Sequence, residues 1–141
     1  DQPNNLLPAL IQVLKNEKKE LSIFGNYWPT KDGTCVRDFI HVMDLAEAHA
    51  AALNFLLINP PQYTNINIGT GKGTTVLELV ESFIEINKCN LPYVFVDRRS
   101  GDAPYSVADN TKALRLIDWK PKRSIEDICK DSWRWYKTNL Q

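Results

Sequence analysis

A mixed α/β fold is predicted by three observations. Short runs of β-branched and aromatic residues alternate with helical periodicities, the junctions between them carry glycine, proline or capping residues, and 141 residues suit one hydrophobic core. Residues 1–141 are therefore read as one domain-sized unit. Leu6, Leu7, Leu10, Ile11 and Leu14 fall on one helical face, with Asn5 placed to cap and Pro8 in the first turn, which predicts a helix over 6–15. Residues 20–25 (ELSIFG) read as a strand that enters a loop rich in Pro, Gly and Asp as far as Gly33. Residues 36–42 (VRDFIHV) alternate apolar and polar and predict a second strand, after which Asp44 is placed to cap a helix over 45–57.

The next unit, from Asn65 onward, reads as a strand over 65–69, a glycine turn and a helix opened by a Thr75/Glu78 capping box. A strand over 93–97 follows, then a polar loop, a helix near 111–116 and a last helix from Ser124, with Asp127 as its capping partner and an aromatic face of Trp133 and Tyr136. Trp119, Trp133 and Trp135 are expected as packing aromatics.

Seventeen Lys and Arg balance seventeen Asp and Glu, so the chain lacks the net positive field that non-specific nucleic-acid or anionic-membrane binding requires. No nucleic-acid or membrane partner is expected, and an anionic ligand has to be met by local charge. Cys35, Cys89 and Cys129 are odd in number and widely spaced, which fits neither a disulfide framework nor a zinc site and predicts reduced thiols in the cytoplasm. No apolar run approaches the roughly 20 residues needed to span a bilayer.

Three constellations could carry chemistry. Gly69, Gly71 and Gly73 stand between a predicted strand and a helix, where a dinucleotide loop belongs, but the third glycine of that fingerprint falls on Thr74, no acidic residue ends a strand about 20 residues on, and Lys72 is followed by Gly73 where a P-loop needs Ser or Thr. A structural turn is the expectation there. Tyr27 and Lys31 have the Tyr-x-x-x-Lys spacing of short-chain dehydrogenases, yet Pro29 between them and glycines on both sides make this loop sequence rather than one helix face. The third is a set of arginines, Arg37 and the pair Arg98–Arg99, each beside a strand end, with Asp102 close behind. Guanidinium forks suit a diphosphate and a carboxylate can accept from a sugar hydroxyl, so these residues predict a nucleotide-diphosphate site. His41 and His49, on different elements and without a nucleophile nearby, are expected to be structural, and no metal site is expected.

The strings PNNLLP (3–8), SIFGNYWPTKDGTCVRDFIHVMDLAEAH (22–49), NIGTGKGTTVLEL (67–79) and RRSGDAP (98–104) resemble, in order and spacing, the carboxy-terminal half of the UDP-glucose 4-epimerase family, within the extended short-chain dehydrogenase superfamily. The resemblance covers essentially the whole chain. It implies the UDP-sugar-binding lobe of an extended Rossmann-type fold whose amino-terminal half is missing. It also implies a parent isomerase, a homodimer, that interconverts UDP-glucose and UDP-galactose through a 4-keto sugar. A bound NAD there takes hydride from C4 and returns it to the other face.

On that resemblance the Rossmann fingerprint and the catalytic Tyr-x-x-x-Lys lie upstream of Asp1. No catalytic or NAD-binding residue is then expected in this chain, nor activity from it alone. The UDP grip carries over to Asn5 and Leu6 at the helix start, Ser22, Ile23 and Phe24 beside the uracil, Arg37 on the phosphates, and Arg99 with Asp102 on phosphate and ribose. Ser106 stands where many members have tyrosine, and a small residue there implies room for N-acetylated sugars. The alternatives are a stand-alone UDP-sugar-binding module and a fragment of another nucleotide-sugar dehydratase or epimerase.

Overall fold

The computed structural model describes residues 5–139. Helix α1 (Leu6–Leu14) leads to strand β1 (Leu21–Phe24), the short strand β2 (Val36–Arg37) and the long helix α2 (Val42–Ile58). A two-residue strand β3 (Thr74–Thr75) runs straight into α3 (Val76–Asn87), and β4 (Tyr93–Val96), β5 (Tyr105–Ser106), α4 (Thr111–Ile117) and α5 (Ile125–Asn139) complete the chain. The mixed α/β class expected above is the observed one.

Two small sheets organise these elements. In one, β1 and β4 pair in parallel with Leu21 opposite Tyr93 and Phe24 opposite Val96. In the other, β2 lies between β3, antiparallel, and β5, parallel. The larger core gathers Leu10 and Val13 of α1, Leu21 and Ile23 of β1, Val80 and Phe83 of α3, Leu91 and Cys129. Trp133 of α5 meets Phe83 edge-on with centroids 6.0 Å apart, and Tyr136 donates its hydroxyl to the Leu14 carbonyl at 2.9 Å, so the last helix is fastened to the first. A second core joins Ala48 of α2 to Ala113 and Ile117 of α4 and to Trp119. The alanines of α2 allow this close approach. Its opposite side stays apolar and open, with Leu53, Leu56, Leu57 and Ile58 exposed.

Local signals set several boundaries as expected. Thr75 accepts from the Glu78 N–H while the Glu78 carboxylate accepts from the Thr75 N–H, a complete capping box for α3. Ser124 and Asp127 exchange the equivalent bonds ahead of α5.

Five expectations are corrected. The predicted strand 36–42 forms a ladder only at Val36 and Arg37, because the Asp38 carboxylate turns to loops from elsewhere in the chain. Asp44 does not cap α2. His41 does, its Nδ1 accepting from the Met43 N–H at 3.1 Å while Nε2 meets Asp131 at 3.2 Å. Asp44 lies inside the first turn, wholly buried, and accepts the backbone N–H groups of Lys122 and Arg123 at 3.0 and 2.9 Å together with the Arg123 guanidinium. Burial alone would raise the Asp44 pKa, but those donors outweigh it and hold the carboxyl below its ordinary value. Residues 65–69 form no strand, and the alternation of Ile66 and Ile68 instead reflects their packing on the second core. Asn5 occupies the N-cap position of α1 through its carbonyl, which accepts from Ala9 at 3.2 Å, but its side chain makes no capping bond. Trp135, expected to pack, is exposed on the outer side of α5.

Candidate functional site

A cavity of about 480 Å³ opens between the start of α1, strand β1, the end of β2 and the loop after β4. Asn5, Leu6, Ser22, Phe24, Arg37, Arg99 and Asp102 all line it, so seven of the nine positions singled out in the sequence meet around one space. Ile23 does not, because strand alternation turns its side chain into the core, where it is 1% exposed. Ser106 does not reach this cavity either. It lines a neighbouring hollow with Ile66, Ile68 and Ala108, and that hollow shares Arg37 and Asp38 with the first.

One end of the cavity is a strand edge. Leu21 and Gly25 send their N–H groups to Pro92 and Val96 of the β4 side at 2.8 Å. The alternation of a parallel ladder then points the peptide groups of Ser22 and Phe24 the other way, towards the edge that carries no strand among the described residues. Unpaired peptide groups on such an edge can meet the donors and acceptors of a planar base.

The charged end is organised around Asp102. Its Oδ1 is 3.3 Å from Arg37 Nη2 and its Oδ2 is 3.3 Å from Arg99 Nε, so one carboxylate aligns two guanidinium groups. Arg37 is held further by bonds of 2.8 Å from Nη1 to the carbonyls of Val36 and Ala103. The Arg99 guanidinium lies over the Phe24 ring, 4.4 Å from its centroid, which connects the charged end to the strand edge. Gly101 with φ of 84° makes the turn that returns Asp102 to Arg99, a backbone conformation that favours glycine. Lys18, Arg37 and Arg99 outnumber Asp38 and Asp102 in the lining, so the wall carries a local net positive charge in a chain with none overall, and the guanidinium forks fit phosphate oxygens.

The other arginine of the pair takes a different place. Arg98 lies between the Tyr27 and Trp28 rings, at 3.9 and 3.7 Å from their centroids, and donates to the Tyr27 carbonyl. Tyr27 and Lys31 are in a loop, and Lys31 pairs with Glu78 at 2.7 Å, so their spacing is not that of one helix face. The glycine turn at 69–71 does cradle an anion, but the anion is the chain's own Asp38. Its carboxylate accepts from the N–H groups of Thr70 and Gly71. Those N–H groups are spent on Asp38, so the loop does not fit a dinucleotide pyrophosphate. Among the described residues no group of His, Cys, Asp or Glu could hold a metal ion, and no helix is long and apolar enough to cross a membrane.

Seven further residues line the cavity, and three of them, the charged or aromatic ones, carry no site signal in the sequence. Asp38 and Phe39 sit inside the VRDFIH string and had been assigned to a strand, while Lys18 belongs to a run of charged residues that carries no positional signal.

The family model described as GDP-mannose 4,6 dehydratase matches residues 2–132. The chain belongs to that family. Within it, the UDP-glucose 4-epimerase of Bacillus subtilis is 49% identical over 98% of this chain, which corresponds to 40% of that protein. Two solved members have the same fold over this stretch. The UDP-glucose 4-epimerase of Stenotrophomonas maltophila, with bound NAD and formylated UDP-arabinopyranose, superposes with a TM-score of 0.91 at 42% identity, covering 97% of this chain and 40% of that one. The enzyme of Bifidobacterium longum, in complex with NAD+ and UDP, gives 0.90 at 36%, covering 99% and 41%. This chain thus corresponds to a carboxy-terminal part of an extended short-chain dehydrogenase and spans about 40% of the length of the relatives it matches.

Proposed function

We propose that this chain is the UDP-sugar-binding part of a UDP-glucose 4-epimerase, an NAD-dependent isomerase that interconverts UDP-glucose and UDP-galactose. The observation that carries this reading is the convergence of Arg37, Arg99 and Asp102 on the cavity that β1 borders. In it the uracil meets the open edge of β1 at Ser22 and Phe24, and the diphosphate lies against Arg37 and Arg99. Asp102 accepts from a ribose hydroxyl, and Asn5 and Leu6 close the cavity at the start of α1. Likeness to epimerases whose structures hold NAD and UDP or a UDP-sugar supports the assignment. NAD and the groups that act on C4 then belong to the remainder of the parent, a homodimer, and this chain is inactive without them. The pocket beside Ser106 extends the reading to N-acetylated UDP-sugars.

Titration of UDP into the full-length protein tests the site. Replacing Arg37 by Ala removes charge-assisted bonds worth roughly 1.5–3 kcal/mol each and is expected to weaken UDP by about 10- to 100-fold. Equal affinity in the two proteins would reject the role of Arg37, and a full-length protein that binds UDP without turning over UDP-galactose would favour a binding module over an epimerase.

A further inference from the structure

Asp38 follows Arg37 directly and lines the edge of the same cavity, but its carboxylate is taken up by donors from other loops. Four donors enclose its carboxylate: Oδ1 accepts from the Thr70 N–H at 2.8 Å and hydroxyl at 2.5 Å, and Oδ2 from the N–H groups of Gly71 at 3.0 Å and Ala108 at 3.2 Å. The Asp38 N–H donates to the Ser106 carbonyl at 3.1 Å. A single residue therefore fastens the glycine turn and the 106–108 segment, 32 and 70 residues further along the chain, to the end of β2. The packing is tight around it. A Cβ at Gly69 would come within 2.5 Å of Asp38 Oδ2 and 2.6 Å of the Ala108 Cβ.

The ladder gives this segment little support of its own, since β5 ends at Ser106 and spans two residues. Beyond it, Val107 and Ala108 line the second hollow, which adjoins the first at Arg37 and Asp38. A diphosphate held at Arg37 has its base on the β1 side. The group on the far phosphate then enters the hollow walled by Ser106–Ala108.

We infer that Asp38 is the positioning residue of the glycosyl pocket: it sets the wall against which the sugar rests and takes no part in the grip on the nucleotide. This rests on the proposed binding of UDP-sugars. Its physical basis is acceptor count. An ionised carboxylate accepts all four bonds, whereas the isosteric amide of Asp38→Asn keeps one oxygen and turns an NH2 group towards backbone donors, so either the Thr70 N–H or the Gly71 and Ala108 N–H groups lose their acceptor.

The test compares full-length wild-type protein with Asp38→Asn and with Thr70→Val, which keeps side-chain shape but deletes the hydroxyl that donates to Asp38 and accepts from the Lys72 N–H. UDP affinity is measured by calorimetry, and kcat/KM is measured for UDP-glucose and UDP-N-acetylglucosamine. Both variants are expected to bind UDP within about threefold of wild type. The ratio of kcat/KM between the two sugars is expected to change by at least about fivefold in Asp38→Asn and in the same direction, less strongly, in Thr70→Val. A general loss of structure lowers both sugars and UDP together and leaves the ratio alone, and that result, or an unchanged ratio with UDP binding intact, would overturn the inference. Should Asp38→Asn fail to fold, Thr70→Val decides by the same ratio. If wild type itself binds no UDP, the reading of the site fails independently of Asp38.

Discussion

Nη2 of Arg37 lies 3.3 Å from Oδ1 of Asp102, 65 residues away in the chain. The same guanidinium donates through Nη1 to two carbonyls at 2.8 Å, so its plane is fixed before any ligand arrives. A lysine at this position keeps the charge but has no fork to satisfy a strand carbonyl, a loop carbonyl and a carboxylate together. Arg37→Lys is expected to weaken UDP by about tenfold, close to 1.4 kcal/mol, and calorimetric titration of the full-length protein checks it. Affinity equal to wild type would mean that charge alone suffices.

Asp44 gives the fold an acid-sensitive joint. Its carboxyl is held below its ordinary pKa, burial being outweighed by the N–H groups of Arg123 and Lys122 and the Arg123 guanidinium. Glu47 is lowered too, by its bonds to Lys122 and then Arg123. A carboxyl whose pKa is lower folded than unfolded adds stability that is complete above its unfolded pKa near 4 and is lost as pH falls through the folded value. Urea midpoints are therefore expected to be insensitive to these groups from pH 7 to 5 and to drop below about pH 4. Asp44→Asn loses acceptors for buried N–H groups, costs about 2 kcal/mol at pH 7 and flattens that acid drop. A variant with the full wild-type acid dependence would remove Asp44 from the account.

Arg98 acts through the loop beside the site. Its guanidinium lies against the Tyr27 and Trp28 rings, so that of the 98–99 pair it is Arg99 that lines the cavity. Arg98→Ala is expected to cost about 1–2 kcal/mol of stability and to alter tryptophan fluorescence as Trp28 loses its cover. UDP affinity should fall less than in Arg37→Ala, and an equal fall would place Arg98 in the phosphate grip.

The thiols differ in reach. Cys129 is buried, and that burial, the nearby Cys89 and Glu126 push its pKa up to about 11. Burial also raises the Cys89 thiol, which is only half covered. A thiol reagent at pH 8 is expected to modify Cys89 slowly and to leave Cys129 untouched until urea is added, since the thiolate is the reactive form. Peptide mapping reads the outcome, and rapid native labelling of Cys129 would contradict its place in the core.

The features readable in advance were those that close over three or four residues. The Thr75/Glu78 and Ser124/Asp127 caps each lie within one helical turn, and the apolar spacing of α1 fits a single buried face. The ladder at 36–42 was overcalled because Asp38 finds its partners 32 and 70 residues away, and the start of α2 was misplaced because His41 is steadied by Asp131, 90 residues on. At the site, Arg37, Arg99 and Asp102 were legible as charge beside strand ends. Which arginine of the 98–99 pair faces the cavity depends on two aromatic rings in another loop, and no spacing rule reports that.

The open edge of β1 has a consequence for inheritance. Peptide groups look alike whichever side chain they carry, so under the proposed reading any residue small enough to leave the cavity open can stand at position 22 and still present the same N–H and C=O to a base. On that reading, drift among small residues at Ser22 is silent to the ligand. Descendants of this chain could then vary among small residues there and keep the trait, while an alanine substitution leaves the peptide groups that would meet the base in place.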